Sequence, residues 1–525
     1  MSQAITTLGD LPRIHAAERG ERRAIVCGDR SWTFAELDAA SNRVAQALRA
    51  QGVGPGDRVG FLDKNSPEYF LLLFGAAKLN AVTVAVNWRL APPEMAYVID
   101  DAGAKVLAIG HEFHGHLASM EIPGVEKIVS IGKSDDHEDF DTWMAAHPAE
   151  DPRMPSAPND TCYQLYTSGT TGHPKGVELT NQNFFSMLPT ASAEWSFDER
   201  SVNLVAMPLF HIAGSGWGVV GLFNGCESIL VREVDPGEIL RIMPAHRITN
   251  ALLVPAVLQI LLAHPGIESV DFGSLRILVY GASPITESVL VGAMKTFRCD
   301  FAQAYGLTET TGGATILRPK DHDPGGPRAK LLRSAGQPWG DVEVRIANPE
   351  TGEALPDGQV GEIWMKTVQN MKGYWNNEAA TREVFPEGRD ADGRGWFRSG
   401  DAGYIEDGYV FIHDRVKDMI VSGGENVYPA EVENALMVHD GVADCAVIGV
   451  PDEKWGETVK ALIVPAAGAD PSQQELIEHC RGLIAHYKCP TSVERIREIP
   501  RNPSGKVLKT ELRKPYWEGR ERFVH

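Results

Sequence analysis

Long apolar runs are missing from this 525-residue sequence. The most apolar segment, Tyr69 to Val86, is interrupted by Lys78 and Asn80, which favours a core helix and strand over a membrane span. The first residues also lack a basic region followed by an apolar stretch, so no secretory signal is expected.

Cysteine is sparse, and no two cysteines form a Cys-x-x-Cys pair. The pattern supports neither a disulfide framework nor a zinc site, and reduced thiols in a cytoplasmic protein are expected. The seven cysteines are Cys27, Cys162, Cys226, Cys299, Cys445, Cys480 and Cys489.

Positive charge is also in short supply. The sequence has 50 Lys and Arg residues and 70 Asp and Glu residues, which gives a formal net charge of -20. Without a long basic run to offset that charge, nucleic acid is excluded as a partner. The negative net charge is still compatible with a locally basic site that binds a small anion.

The length predicts two or more domains. Thr33 and Glu36 form a capping box ahead of a helix that runs to Gly52, and helix and strand signals then alternate as in a mostly parallel α/β fold. From about Glu343 short strands and turns predict a β-rich subdomain, and from Tyr428 a fresh alternation begins, with a helix over 473–487. We therefore predict an α/β protein whose large N-terminal domain, 1–414, holds two α/β subdomains and the β-rich subdomain, followed by a small α+β domain over 415–525.

The glycine-rich segment Tyr166–Gly176 follows a short apolar strand. Such a loop can turn hydroxyls and backbone N–H groups toward a phosphate, and Lys175 adds a point charge. Its hydroxyl residues and first two glycines are Thr167, Ser168, Thr170, Thr171, Gly169 and Gly172. The common phosphate loop is excluded, because Gly172 to Gly176 is one residue too short and Val177 follows. A plain surface turn is the alternative.

Six further segments carry candidate residues, each with a plain structural alternative such as a turn, a core histidine or an exposed loop. They are Gly281-Ala282-Ser283, Tyr305-Gly306-Leu307-Thr308-Glu309, Phe210-His211, Asp401 with Arg415 and Lys417, Gly423-Gly424, and the turn that ends in Lys506.

In their order along the chain the segments closely resemble the motifs of the adenylate-forming enzymes, which include acyl-CoA synthetases, 4-coumarate ligases, firefly luciferase and peptide-synthetase adenylation domains. The resemblance covers essentially the whole chain. It implies ATP and CoA as co-substrates, Mg²⁺ as cofactor, and two half-reactions, from carboxylate to acyl-AMP and then to acyl-CoA.

The resemblance also assigns roles. Lys506, Thr308 and Glu309 act in adenylation, with Glu309 holding Mg²⁺ and His211 only positioning. The loop from Thr167 to Lys175, the Gly281–Ser283 turn, Tyr305, Gly306, Asp401 and Arg415 bind the nucleotide. Lys417 is the hinge, near 414–418, on which the mobile small domain turns, and Gly423 and Gly424 line the CoA channel.

The sequence says less about which carboxylic acid supplies the acyl group. Small residues after His211, with Gly214 among them and Trp217 the one bulky member, suggest an elongated pocket beside Phe210 and favour a medium- or long-chain fatty acid. Helix packing is the other explanation for the small residues. Aryl or sterol side-chain acids stay open, as do luciferase chemistry and a nucleotide-binding sensor or scaffold without catalysis. A homodimer and peripheral membrane contact are also open.

Overall fold

A computed structural model of the chain describes residues 4–167, 174–283, 285–415, 418–422, 425–452, 455–501 and 507–518. Helices and strands alternate along most of this length. The helices are α1 Asp10–Arg19, α2 Phe34–Ala50, α3 Pro67–Lys78, α4 Pro92–Ala102, α5 Phe140–Ala145, α6 Asn181–Glu194, α7 Ile212–Phe223, α8 Pro236–Ala245, α9 Pro255–Leu262, α10 Glu287–Phe297, α11 Glu378–Val384, α12 Pro429–Met437, α13 Gln473–Arg481 and α14 Lys509–Trp517.

The strands up to the end of the α/β part are β1 Arg23–Cys27, β2 Arg30–Thr33, β3 Arg58–Leu62, β4 Val82–Ala85, β5 Ala104–Gly110, β6 Lys127–Ile131, β7 Glu138–Asp139, β8 Thr161–Thr167, β9 Lys175–Thr180, β10 Val202–Val205, β11 Glu227–Leu230, β12 Asn250–Leu252, β13 Ile277–Gly281, β14 Asp300–Leu307, β15 Gly312–Leu317 and β16 Gln337–Pro338. Those that follow are β17 Glu343–Ala347, β18 Gly361–Thr367, β19 Gly373–Tyr374, β20 Gly395–Glu406, β21 Tyr409–Arg415, β22 Ile420–Ser422, β23 Glu425–Val427, β24 Val442–Asp452, β25 Gly456–Pro465 and β26 Ser492–Arg495.

Two large sheets form the α/β part. The first has the order β16-β15-β14-β13-β12-β10-β11-β1-β2, and the second β19-β9-β8-β4-β3-β5-β6-β7. Strands β14, β13, β12, β10, β11 and β1 run parallel, as do β8, β4, β3, β5, β6 and β7. Strands β2, β15, β16, β9 and β19 pair antiparallel with their neighbours. The predicted α/β class is confirmed.

Two smaller sheets complete the fold. The antiparallel order β17-β18-β20-β21 is the predicted β-rich subdomain, and β23-β22-β25-β24 with β26 forms the sheet of the C-terminal part. Among the described residues, no hydrophobic cluster combines side chains from before 414 with side chains from after it. The domain boundary near 414 itself stays a prediction.

Local sequence signals explain several of these boundaries. Thr33 and Glu36 form the expected capping box at the start of α2, with the Thr33 N–H donating to Glu36 Oε2 over 2.8 Å. The apolar segment from Tyr69 is a wholly buried helix, α3, followed by the buried strand β4. Across the part of the chain that the structure describes, no helix is both long and apolar enough to cross a bilayer.

One predicted helix is shorter than expected. Helix α13 ends at Arg481 with Gly482 as its C-cap, whereas the predicted helix continued to Tyr487, and His486–Lys488 form a separate short 3₁₀ turn. Glycine has low helix propensity, and the residue before Pro490 disfavours helical backbone, so the helix does not extend through this stretch.

Lys78, which interrupts the apolar segment, is fully buried between α2 and α3. Its ammonium lies 2.6 Å from Asp38 Oδ1, 2.8 Å from Ser41 Oγ and 2.6 Å from Asn42 Oδ1. Burial lowers the pKa of the Lys78 ammonium to about 8. The group is therefore still mostly protonated at neutral pH, and its charge is compensated by Asp38.

We expect Lys78→Met to destabilise the large domain by about 3 kcal/mol, because the buried Ser41 and Asn42 oxygens lose their donor. Urea unfolding followed by tryptophan fluorescence would measure the change. Lys105→Met is the control: Lys105 pairs with Asp57 at 2.9 Å, but both side chains are partly exposed to solvent and the loss of the pair should change little. Equal effects of the two substitutions would contradict the assigned role of Lys78.

Candidate functional site

The site begins where two neighbouring parallel strands end. Gly281, the last residue of β13, lies opposite Ala304 of β14. A Cβ on Gly281 would come within 2.1 Å of the Ala304 carbonyl oxygen, so this close approach requires glycine. Ala282 follows with φ of 65° and leads into Ser283. The predicted turn therefore lies at the carboxyl edge of the parallel strands, where open α/β sheets bind ligands.

Strand β14 leads directly to the carboxylate of Glu309. The chain turns after Leu307 into a 3₁₀ helix, Thr308–Thr310, and Thr311 closes it with φ of 56°. Thr308 is thus the first residue of a short turn and does not cap an α-helix. The Glu309 side chain, only 8% exposed, is held in the interior of the site.

Two hydroxyls converge on one oxygen of Glu309. Oε1 accepts hydrogen bonds from Thr167 Oγ1 at 3.3 Å and from Tyr374 Oη at 3.1 Å. The Lys175 ammonium lies over the Tyr374 ring, 5.0 Å from its centroid. The structure therefore brings together Thr167, Lys175 and Glu309 and adds Tyr374, which sequence reasoning missed because no motif marks it.

A tyrosine and an aspartate form the next part of the site. Tyr305 of β14 donates from its hydroxyl to Asp401 Oδ2 over 2.8 Å. Asp401 is buried, and its backbone N–H donates to Ser399 Oγ. In the β20–β21 pair Asp401 lies opposite Arg415, so these two predicted residues are neighbours in the sheet. The Arg415 side chain is outside the described part of the structure.

His211 precedes α7 and packs on Phe210, with ring centroids 4.5 Å apart. Its Nε2 atom is buried and has no hydrogen-bond partner among the residues that the structure describes. Burial and the Arg89 charge together lower the pKa of the imidazole to about 4. His211 is therefore neutral at pH 7, and its positioning role stays a prediction.

One cavity is lined both by candidate nucleotide residues and by bulky apolar side chains. The first group and its neighbours are Gly281, Ala282, Ala304, Gly306 and Gly312, and the second is Met187, Trp195, Trp217, Val220, Leu252 and Tyr280. Helix α7 supplies one wall through Ala213, Gly216, Trp217 and Val220. The predicted wall residue Trp217 is thus in the cavity lining.

Gly214 and Phe210 do not line this cavity, and their predicted place in the acyl pocket stays a prediction. A Cβ on Gly214 would lie 2.2 Å from the Pro208 carbonyl oxygen, so Gly214 packs against the preceding segment of chain. Phe210 faces Trp88, with ring centroids 6.5 Å apart. The small residues of α7 that border the cavity are Ala213 and Gly216, on either side of Gly214.

Several predicted site residues lie outside the described residues. They are Ser168, Gly169, Thr170, Thr171 and Gly172 of the glycine-rich loop, the hinge residue Lys417, the channel residues Gly423 and Gly424, and Lys506. Their roles stay predictions.

Two α/β sheets whose strand ends carry a glycine turn, a buried carboxylate and a tyrosine–aspartate pair define an adenylate-forming enzyme. Residues 13–375 match the family model described as AMP-binding enzyme, and residues 431–506 match AMP-binding enzyme C-terminal domain. The chain belongs to this AMP-binding enzyme family and is an AMP-forming acid–thiol ligase.

Relatives match over nearly the full length. The fatty acid–[acyl-carrier-protein] ligase ScoC of Streptomyces coeruleorubidus is 41% identical, covering 99% of this chain and 98% of its own. A feruloyl-CoA synthase of Amycolatopsis is 39% identical, covering 97% and 99%. The crystal structure of ATP-bound MatB from Rhodopseudomonas palustris has a TM-score of 0.88 and 30% identity, covering 97% and 99%.

The two glycines of α7 should respond differently to a methyl group. We expect Gly214→Ala to lower the free energy of unfolding by about 1–3 kcal/mol, because its Cβ meets backbone atoms that cannot move aside. Gly216→Ala should stay near parent stability, since its Cβ meets only the flexible Ile212 side chain at 3.2 Å. Gly216→Ala should instead change substrate preference, with kcat/KM falling more for bulky acids than for small ones. The reverse pattern would contradict this description of the helix.

Proposed function

We propose that this ligase joins an acid with an apolar acyl group to CoA, through an acyl-AMP intermediate formed from ATP. The observation that carries the proposal is a cavity lined both by Gly281 and Gly306 and by the apolar side chains of Trp217, Trp195 and Tyr280. An acid bound there would have its carboxylate beside the nucleotide residues and its acyl group among the apolar side chains. Medium- or long-chain fatty acids match this lining, because their acyl chains are apolar like the side chains of the cavity wall.

An aryl acid is the second candidate for the same pocket. Trp195 and Trp217 pack with ring centroids 5.3 Å apart, and Tyr280 is also in the wall, so the cavity presents aromatic surfaces. Aromatic pairs gain energy beyond area burial, which favours a flat ring as occupant. The feruloyl-CoA synthase relative supports this candidate, as the ScoC relative supports a fatty acid.

The acceptor thiol is proposed to be that of CoA. AMP is a good leaving group, so bringing the thiol to the acyl carbon should contribute more than acid–base assistance. The neutral His211 agrees with a positioning role in this step. A carrier-protein thiol is the alternative that the ScoC relative raises, and parallel assays with CoA and a phosphopantetheinylated carrier protein would distinguish the two.

The adenylation step develops charge on the α-phosphate. Lys175, at the end of the β8–β9 hairpin, can offer a fixed positive charge, and Lys506 is proposed to supply a second. Asp401, held by the Tyr305 hydroxyl, is proposed to accept the ribose hydroxyls. Lys175, Tyr305 and Asp401 are positioned by strands before substrate arrives, so these three need little reorganisation.

Glu309 is the residue proposed to hold Mg²⁺. Magnesium binds through one or two carboxylates together with substrate phosphates, and Glu309 is a lone buried carboxylate beside the proposed phosphate loop. Among the described residues, no cluster of three His, Cys, Asp or Glu side chains could bind a metal without substrate. The donor set thus fits an ion that arrives with ATP, and the ion would neutralise phosphate charge there.

The direct experiment is acid-dependent exchange of pyrophosphate into ATP, followed by thioester formation with CoA. A panel of fatty, aryl and sterol side-chain acids would identify the best substrate. Nucleotide binding without exchange for any acid would overturn the proposal and support a non-catalytic sensor or scaffold.

We expect Glu309→Gln to reduce Mg²⁺-dependent exchange by about a hundredfold while the fold is retained. The amide oxygen can still accept from Thr167 and Tyr374, but the charged hard ligand is lost. A Mg²⁺ titration of exchange would measure this. Tyr374→Phe is the control, because it removes one hydrogen bond to Glu309 and keeps the charge; a loss as large as that of Glu309→Gln would argue against the ion-binding role.

The small domain is proposed to rotate between the two half-reactions. Lys506 is needed at the α-phosphate during adenylation and must leave before the thiol enters past Gly423 and Gly424. A few residues near 414–418 would absorb the rotation. His413 and Tyr428, on either side of this segment, stack with centroids 4.9 Å apart, so their contact would change if the domain turns.

Two substitutions separate the half-reactions. We expect Lys417→Pro to keep pyrophosphate exchange and lose acyl-CoA formation, because proline fixes φ near -65° and prevents rotation. Lys506→Ala should lose exchange but still convert supplied acyl-AMP and CoA to product. Parallel loss of both half-reactions in both variants would refute the rotation.

A further inference from the structure

The turn that carries Glu309 contains a backbone conformation that its residue type disfavours. Thr311, which is fully buried, closes the 3₁₀ helix with φ of 56° and ψ of 32°, in the left-handed region. A β-branched residue is rarely found there, whereas glycine adopts such angles without strain. Strained backbone of this kind persists only where surrounding contacts hold it, and it concentrates at functional sites.

The contact that holds Thr311 is a short hydrogen bond from its own side chain. Thr311 Oγ1 donates to the Gln369 carbonyl oxygen over 2.6 Å. The Gln369 side chain bonds back to the same part of the chain, because its Nε2 donates to the Gly313 carbonyl oxygen over 2.8 Å. Glycine at position 311 would avoid the strain but would lack the hydroxyl. The hydrogen bond is therefore a physical reason for threonine at this position.

The segment that accepts this hydrogen bond is itself held on both sides. The buried Asn370 side chain donates to the carbonyl oxygens of Met365 and Gly395 over 3.0 Å and 3.1 Å. The buried Asn183 side chain donates to the carbonyl oxygens of Val368 and Asn370 over 2.8 Å and 2.9 Å. The segment is therefore a fixed anchor for the turn.

Glu309 is connected to this anchor at two points. Its backbone carbonyl accepts from the Met371 N–H over 2.7 Å, and two residues later Thr311 bonds to Gln369. The same segment continues into Tyr374, whose hydroxyl donates to Glu309 Oε1. A bond that fixes the turn relative to this segment therefore also fixes the Glu309 carboxylate relative to Tyr374.

Resting on the proposed role of Glu309 in Mg²⁺ binding, we propose that Thr311 is a positioning residue that sets the direction of the Glu309 carboxylate. The hydrogen bond to Gln369 holds the left-handed turn, and the turn holds the carboxylate where the ion arrives with ATP. Removing the Thr311 hydroxyl keeps the charge of Glu309 but leaves its position less fixed. A charged ligand that must first be reoriented binds more weakly than a preorganised one. The loss should therefore appear as a higher Mg²⁺ requirement.

The test measures acid-dependent pyrophosphate exchange as a function of Mg²⁺ concentration. We expect Thr311→Val, which is nearly isosteric, to raise the half-saturating Mg²⁺ concentration by about fivefold, because one buried hydrogen bond contributes about that factor. Thr311→Ser should keep the parent value, since its hydroxyl can still donate to Gln369. Thr311→Gly relieves the backbone strain but lacks the hydroxyl, so it should show the same rise as Thr311→Val.

Thr315→Val is the matched control. Thr315 is fully buried on β15, and its Oγ1 donates to the Ala335 carbonyl oxygen over 2.6 Å, as Thr311 does to Gln369. The substitution removes an equivalent hydrogen bond outside the Glu309 turn, so it should lower stability and keep the parent Mg²⁺ requirement.

A double variant tests whether Thr311 acts through the carboxylate. Glu309→Gln combined with Thr311→Val should need no more Mg²⁺ than Glu309→Gln alone, because the group that Thr311 positions is already gone. A residue that merely supports the fold would add its own loss.

Three results would overturn the inference. They are a parent Mg²⁺ requirement in Thr311→Val or Thr311→Gly, an equal rise in Thr311→Ser or Thr315→Val, and a further loss in the double variant. In each of these Glu309→Gln still impairs Mg²⁺-dependent exchange, so the proposed function stands. A parent Mg²⁺ requirement in Glu309→Gln is a different result, and it refutes the proposed role of Glu309 together with the inference that rests on it.

Discussion

The Glu309 carboxylate joins the two large sheets at the site. It follows β14 of the first sheet, while Thr167 and Tyr374, which both bond to its Oε1 atom, belong to β8 and β19 of the second. The Met371 N–H also donates to the Glu309 backbone carbonyl at 2.7 Å. From the same strand, Tyr305 bonds to Asp401 of the antiparallel sheet. The end of β14 is therefore hydrogen-bonded to side chains of two other sheets.

Burying a carboxylate costs free energy unless other groups compensate its charge or donate hydrogen bonds to it. The way in which Glu309 is compensated therefore decides how much negative charge it can offer to a cation. Two neutral hydroxyls satisfy Glu309 without cancelling its charge. An ion pair in the same place would hold the sheets equally well but would leave less charge for a cation. The two hydrogen bonds to Glu309 thus link the large sheets and still leave a negative group beside the proposed phosphate loop.

Much of this organisation could be predicted from the sequence. Strong local signals, such as the Thr33–Glu36 capping box and the glycine turn at Gly281, correspond to the observed elements. Tyr374 could not be found in the same way, because its role comes from pairing of Gly373–Tyr374 with β9, nearly two hundred residues earlier. Contacts formed by distant strands leave no local pattern. The end of α13 was missed for another reason, since the single Gly482 outweighed a helical periodicity.

The run of small residues after His211 shows how one helix can serve two purposes. Positions 213, 216, 217 and 220 share the cavity face, as spacings of three and four residues require. Gly214, Gly218 and Gly221 lie on another face, where a Cβ would meet Pro208, Phe70 and Asn203. The small residues therefore divide between two faces, one that packs against neighbouring segments and one that borders the cavity. Composition alone could not separate them, because adjacent residues point about 100° apart around a helix. The close packing on one face fixes α7 against the core, and that rigidity keeps Trp217 and the neighbouring Trp195 in position at the cavity wall.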